Sequence, residues 1–247
     1  MFELSRDGDI ALLLLSRPEA RNAISLSGWD RIAETVAQAC ALGARALVLA
    51  GRGGAFCAGA DVTEFARFRD DRAARTEFRL AMRRAMDAIR GAPLPVIAAI
   101  DGPCFGAGVA LAMACDIRIA AAGARFAITP AKLGILYPQE DVHRLVSLVG
   151  PGNAARLLLG AGSIDGPEAL RIGLVERCVD GDVVAAALQQ AKLIAGNDAE
   201  SIRLLKHGIG LATGGVVSDG DQDRAFDRLL GSEALAAGLD AYRARVR

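Results

Sequence analysis

Pro95-Val96-Ile97-Ala98-Ala99-Ile100 followed by Asp101-Gly102-Pro103-Cys104-Phe105-Gly106-Ala107-Gly108 is the stretch on which the reading of this chain turns. The first six residues are an apolar run of buried-strand length, far too short to span a membrane. The next eight hold three glycines and a proline, so the backbone there must turn through dihedrals that side chains resist. A helix of small residues follows and ends near Cys115, and Asp116 to Ala120 reads as another strand.

The same order recurs upstream. Arg45 to Ala50 reads as a buried strand, Gly51 to Asp61 as a second glycine loop, and Phe78, Met82, Ala85, Met86 and Ile89 as one face of a long amphipathic helix. Earlier still, Ile10 to Ser16 reads as a strand. After the loop Arg17-Pro18-Glu19-Ala20-Arg21-Asn22, a helix carries Leu26, Trp29, Ile32, Ala33, Val36 and Cys40, with Ser27 and Asp30 as its expected start signal. Strand, glycine loop and helix alternate through residues 10–120, which predicts an α/β fold. Beyond about residue 139 strand signals nearly vanish. Helical stripes take over, first Ile202, Leu205, Ile209 and Ala212, then Phe226, Leu229 and Leu230. The expected organisation is a core over residues 1–189 and a helical region over 190–247.

Composition narrows the function. Hydrophobic residues make up 52% but aromatics only 4%, so the core is built from Ala, Val, Leu and Ile. Acidic and basic residues balance at 29 each without a Lys/Arg run, which argues against a nucleic-acid partner. Glu3, Arg6, Asp7 and Asp9 at the N-terminus are unlike a signal peptide, and no membrane partner is expected. The five cysteines are odd in number and lack C-x-x-C spacing. That speaks against a disulfide framework or a zinc site and for a reducing cytoplasm.

Both glycine loops lead into helices. Backbone N–H groups at such a turn can face a carbonyl oxygen that gains negative charge, as in a thioester enolate. Phe56-Cys57-Ala58-Gly59-Ala60-Asp61 and Asp101 to Gly108, with Ala112-Met113-Ala114-Cys115-Asp116, resemble the two oxyanion loops of the crotonase (enoyl-CoA hydratase/isomerase) superfamily. Arg17-Pro18-Glu19-Ala20-Arg21-Asn22-Ala23, Phe126 to Gly134, Ala169 to Val175 and Ser232-Glu233 continue the resemblance in order across essentially the whole chain.

The resemblance implies a crotonase-like spiral of ββα units with a C-terminal helical oligomerisation region, assembled as a trimer or a dimer of trimers. It implies an acyl-CoA thioester as ligand, bound through the N–H groups of Ala60 and Ala107, with the Ala58 carbonyl at the CoA adenine and Arg21 near the CoA phosphates. No cofactor beyond the substrate's own CoA, and no metal, is implied. Asp61 and Asp116 read as caps or loop anchors.

The chain departs from the pattern at the two glutamates that similar hydratases use for acid–base work. Ala110 and Pro130 stand there, and neither can carry a proton. Isomerisation or a divergent reaction is therefore expected ahead of standard hydration. A silent acyl-CoA-binding or assembly subunit, a decarboxylase and a thioesterase are the alternatives. The remaining polar candidates are Tyr137, Glu140 and Asp141, with Glu140 and Asp141 as bases and Tyr137 as an orienting or donor group. Both acids also suit a helix N-terminus. Residues 126–137 are locally similar to methylmalonyl-CoA decarboxylase, whose matching tyrosine helps orient a substrate carboxylate, although that enzyme has a histidine where Ala60 stands. Gly102-Pro103-Cys104-Phe105-Gly106 also has the form of a nucleophile elbow, but only His143 and His207 exist to serve Cys104. The dense charges of Glu64 to Arg75 suit a solvated face or a lid.

Overall fold

The computed structural model describes residues 2–246. The apolar runs pair as a six-stranded sheet. In spatial order it holds β1 (Phe2–Asp7), β2 (Ile10–Leu15), β3 (Ala46–Gly51), β4 (Val96–Ile100), β6 (Ile117–Ala121) and β9 (Arg177–Val179). Only β1 runs antiparallel to its neighbour. A second sheet joins β5 (Pro103–Phe105), β7 (Arg125–Ala127) and β8 (Ser163–Asp165).

Helices cover both faces of the larger sheet, so its central strands are apolar on both sides. On β3, Leu47 and Leu49 enter the main core with Trp29 and Ile32 of α1 (Leu26–Ala41) and Ala85, Met86 and Ile89 of α2 (Arg72–Gly91). Ala46, Val48 and Ala50 enter the opposite core. There α6 (Val183–Ala195) presents Val183, Ala187, Ala191 and Ala195, one residue per helical turn, to a sheet face also rich in alanine. The alanine-rich composition thus lets helix and sheet approach closely. Helix α3 (Ala107–Ala114) is buried at every position from Gly108 to Ala114.

The structure corrects several local readings. Helix α1 has Ser25 rather than Ser27 at its cap, with no side-chain cap bond. Glu64, from a distant 3₁₀ turn at Val62–Phe68, accepts from the Leu26 N–H instead, at 2.7 Å. The strand signal does not end at residue 139, because β8 and β9 complete the two sheets. Three residues are too few to show a hydrophobic period. Residue 190 lies inside α6, whose buried face belongs to the sheet. Beyond it come α7 (Ala199–Thr213), α8 (Gly220–Leu230) and α9 (Glu233–Val246). Leu205, Ile209, Phe226 and Leu230 of these helices are exposed. Helix α4 (Gln139–Gly160) bends at Gly150, φ 74°, just before Pro151. Among the described residues no helix is long and apolar enough to cross a membrane.

Because α6 and the sheet meet through alanines, extra volume there has nowhere to go. Ala191→Leu, at a fully buried position, is expected to cost about 1–3 kcal/mol through overpacking. Urea unfolding would read it as a lowered midpoint at unchanged slope.

Candidate active site: two loops in backbone contact

The first loop is pinned by a residue about thirty positions before it in the chain. Asn22 is buried, at φ 58°, behind Arg21 at φ 49°. Its Nδ2 donates to the carbonyls of Arg52 (2.9 Å) and Ala55 (2.7 Å), and its Oδ1 accepts from the Arg17 N–H (2.9 Å). The Ala58 N–H donates to the Arg21 carbonyl at 2.9 Å. Ile24 then donates to the Gly59 carbonyl and accepts from the Asp61 N–H, both at 2.8 Å. With those flanking groups turned toward Ile24, the N–H of Ala60 between them points the other way. Asp61 closes the turn by accepting from Arg17 Nη1 (2.5 Å), the Thr63 N–H (3.1 Å) and Thr63 Oγ1 (2.6 Å). The Thr63 hydroxyl and the Arg17 guanidinium hold its carboxyl below the ordinary range. Asp61 is thus a loop anchor. So is Asp116, which accepts from the Val96 N–H at 2.7 Å and pairs with Lys206 at 2.8 Å.

The second loop lies directly against the first. Cys57 donates its N–H to the Pro103 carbonyl (3.0 Å) and accepts from the Phe105 N–H (2.9 Å). The Gly106 N–H donates to the Ala127 carbonyl at 2.8 Å, leaving Ala107 as the first residue of α3, where a helical N–H has no partner in its own helix. Two glycines make this contact possible. A Cβ on Gly59 (φ 101°) would stand 2.7 Å from the Phe105 carbonyl oxygen and 3.2 Å from the Ala107 nitrogen, and one on Gly108 would stand 2.3 Å from the Cys57 carbonyl oxygen. Ala58 and Ala60 are half-buried between buried neighbours, and Ala107 is half-buried just before buried Gly108. The structure therefore brings the predicted pair, Ala60 and Ala107, onto adjoining turns.

Tyr137 comes to the same place from the other side. Its hydroxyl donates to the Gly106 carbonyl at 3.1 Å, and burial, followed by the nearby Asp141 charge, pushes its phenol well above the usual range, against the pull of the Ala110 amide. Asp141, one turn further into α4, is buried, and Arg83 Nη2 donates to its Oδ1 at 3.3 Å. Burial raises its carboxyl above the ordinary value, with Arg83 acting against that rise. Glu140 also pairs with Arg83, but its side chain is 62% exposed. The two acids thus differ, with Asp141 facing inward beside Tyr137 and Glu140 facing out. A cleft of about 270 Å³ lies here, lined by Arg79, Met82, Arg83 and Pro138 to Asp141. Another, of about 280 Å³, lies near Arg45, Pro95 and Ile202, and no residue of either glycine loop lines either cleft.

The remaining candidates are placed differently. Arg21 uses its backbone to hold Ala58 and leaves its side chain at the surface. His143 and His207 are exposed. Cys104 is fully buried, which pushes its thiol well above the usual range, so it is no exposed elbow nucleophile. Cys57, pushed up to about 12 by burial, is likewise inert packing. The segment from Glu64 to Arg75 carries Phe65 and Phe68, which cluster with Phe78 at 5.0–5.6 Å between ring centroids. Sequence reading missed Asn22 as the central tie and Arg83 altogether. Arg83 adjoins Met82 on the apolar edge of α2, and that adjacency was its only signal.

A layered sheet with paired glycine loops, the second opening a buried helix, defines a crotonase-type fold built to receive an acyl-CoA. The family model for enoyl-CoA hydratase/isomerase matches residues 5–217. The Mycobacterium tuberculosis protein named "Probable enoyl-CoA hydratase echA6" is 36% identical over 211 residues, 80% of this chain and 83% of its own length. The short-chain-enoyl-CoA hydratase of Clostridium acetobutylicum is 32% identical over 229 residues, 91% and 85%. A solved enoyl-CoA hydratase/carnithine racemase from Magnetospirillum magneticum superposes with a TM-score of 0.92 at 33% identity, covering 99% of this chain and 92% of that one. The chain belongs to the enoyl-CoA hydratase/isomerase family of acyl-CoA-processing enzymes.

Asn22→Ala would orphan two carbonyls and one N–H at the tie between the loops. The expected cost is about 2–4 kcal/mol, seen as a lowered urea midpoint.

Proposed function

We propose that this enzyme moves a proton at the α-carbon of an unsaturated acyl-CoA, isomerising the double bond, with the thioester oxygen held by the N–H groups of Ala60 and Ala107. Asp141 is the base in this reading. It takes a proton from the α-carbon of a 3-enoyl thioester, and the resulting enolate collapses as the same proton is returned at the γ-carbon. One carboxylate suffices for that shuttle, whereas adding water across the bond needs proton transfers at two carbons. Tyr137 holds the Gly106 carbonyl and so fixes the turn that presents Ala107. The Ala58 carbonyl meets the CoA adenine and Arg21 reaches the CoA phosphates. CoA arrives with the substrate, and no metal or further cofactor takes part.

The observation that carries this reading is the contrast between the loops and the acids. The two glycine loops lie in backbone contact, the positions matched to the hydratase glutamates hold Ala110 and Pro130, and among the described residues the buried carboxylate near Tyr137 is Asp141. One feature favours the second reading, a silent acyl-CoA binder: Arg83 already pairs with both acids. A short 2-enoyl-CoA followed by ultraviolet absorbance, beside a 3-enoyl-CoA assay, separates the two. We expect no hydration at an ordinary enzymatic rate and measurable conversion of the 3-enoyl thioester. Binding without conversion of either, or of malonyl-type and saturated thioesters, would establish the silent binder.

Three outcomes follow from the proton-shuttle reading. Ala107→Pro deletes one N–H at the first helical position, where proline fits, and should lower kcat by about 10²–10³-fold with circular dichroism unchanged. Asp141→Asn should abolish conversion while thioester affinity by calorimetry stays within a few-fold. Because the raised Asp141 carboxyl works only when ionised, activity should fall as pH drops through a value above the ordinary ~3.9 of aspartate, read from kcat/KM against pH.

Exposed apolar residues gather on α7, α8 and the loop between them, with Val217 of that loop fully exposed and Phe226 of α8 65% exposed, more than isolated surface residues explain. We propose that they join subunits in a trimer or a dimer of trimers. Phe226→Asp together with Leu230→Asp should reduce the mass measured by light scattering to that of one chain.

A further inference from the structure

We propose that Arg83 is the positioning residue of this site: it holds Asp141 inward beside Tyr137 and keeps it in the form that can accept a proton. The inference rests on the proposed role of Asp141 and goes beyond it to a residue that touches no substrate. Arg83 reaches across from α2 to the first turn of α4, and its side chain is about four-fifths buried at 19% exposure. Its guanidinium has three carboxylates around it: Asp87 one turn along α2, at 3.7 Å from Nε, Glu140, and Asp141. Among the described residues, the bond from Nη2 to Asp141 is the directed one, since buried Nε and Nη1 make no hydrogen bond of good geometry. Nη2 is therefore the nitrogen aimed at Asp141, while Nη1 lies against the exposed Glu140 and Nε faces Asp87.

The surroundings of Asp141 explain why that aim matters. Arg83 and Arg90 face it from α2, and Arg144 faces it from its own helix. Tyr137 lies one turn back and Glu140 is adjacent. Arg144 is committed elsewhere, donating to the Met113 carbonyl at 2.6 Å, and burial among the arginines lowers it to about 10. Burial drives the Asp141 carboxyl toward its neutral form, and Arg83 is the strongest group opposing it. Without Arg83 the carboxyl would both lose its hydrogen bond and take up a proton at a higher pH.

The test is a ¹³C NMR titration of aspartate-labelled protein, in which Asp141→Asn identifies the Asp141 signal. We expect Arg83→Met to raise the Asp141 midpoint by about one pH unit or more, and Arg83→Lys, which keeps the charge but not the fork, to raise it less. An Asp141 midpoint unmoved in a folded Arg83→Met variant overturns the proposal. In parallel, the acid limb of kcat/KM on a 3-enoyl-CoA should move upward in Arg83→Met and recover toward the parent rate at high pH. A proportional loss at every pH, with the limb in place, also overturns it. If Asp141→Asn retains full activity, the base assignment fails, whereas a shifted NMR midpoint would still show that Arg83 controls the carboxyl. The two failures are thus distinguishable.

Discussion

Everything at this site depends on two backbone turns lying against each other with no side chain between them. Gly59 and Gly108 are the positions where a single added carbon would collide with carbonyl oxygen. That contact sets where the N–H groups of Ala60 and Ala107 stand relative to each other, and it explains why the surrounding residues are ties rather than reactants. Asn22 ties the backbone at Arg17, Arg52 and Ala55 through hydrogen bonds of its own side chain and main chain, and Asp61 locks the exit of the loop with Arg17. Preorganised amides need no rearrangement when charge develops in front of them. In the proposed reading, the hydrogen-bond network is what would preorganise the amides of Ala60 and Ala107.

The parts of the fold that were legible in the sequence are those with a long hydrophobic period or a glycine cluster. The runs at Ile10, Arg45 and Pro95 form strands, the stripe from Phe78 to Ile89 lies on α2, and the two glycine loops lie against each other. What was not legible is fixed by partners far along the chain. Leu26 is capped by Glu64, and no local pattern could announce that. Strands β8 and β9 exist because a sheet edge is waiting for them, not because three residues prefer to be extended. Glu140 and Asp141 are indistinguishable as letters, and only burial against Tyr137 and Arg83 separates them.

The substitution of the hydratase glutamates reads differently once their places are known. Ala110 is buried on α3, close enough to Tyr137 for its amide to act on the phenol. Pro130 opens a 3₁₀ turn whose end, Gly134, sits at φ 69°. Neither change leaves a charged group without a partner, and the turn carries the chain toward Tyr137. The Tyr137 hydroxyl, beside the Ala110 amide, bonds the Gly106 carbonyl that precedes α3. Proton transfer is displaced from α3 to α4 in the proposed reading, while the grip on the thioester stays where it was.

Helix α3 shows how the rest of the chain serves that grip. It is eight residues long and buried, so the partial charges at its ends are not screened by water. At its C-terminal end, Arg144 donates to the Met113 carbonyl and Arg118 to the Cys115 carbonyl at 2.8 Å. Lys206, from α7, takes the carbonyls of Ile89 and Leu94 at the end of α2 and pairs with Asp116 just beyond α3. Cations therefore gather where the carbonyls point, and the N-terminal amides at Ala107 are left facing the site. A short helix with its negative end neutralised presents a net positive end to the ligand. Arg144 shares its helix with Asp141, so the element that brings in the carboxylate also caps the helix that would bear the enolate. Burying such a helix is stable only with both ends satisfied. The chain supplies one end itself, and in the proposed reading the thioester oxygen is the acceptor for the other.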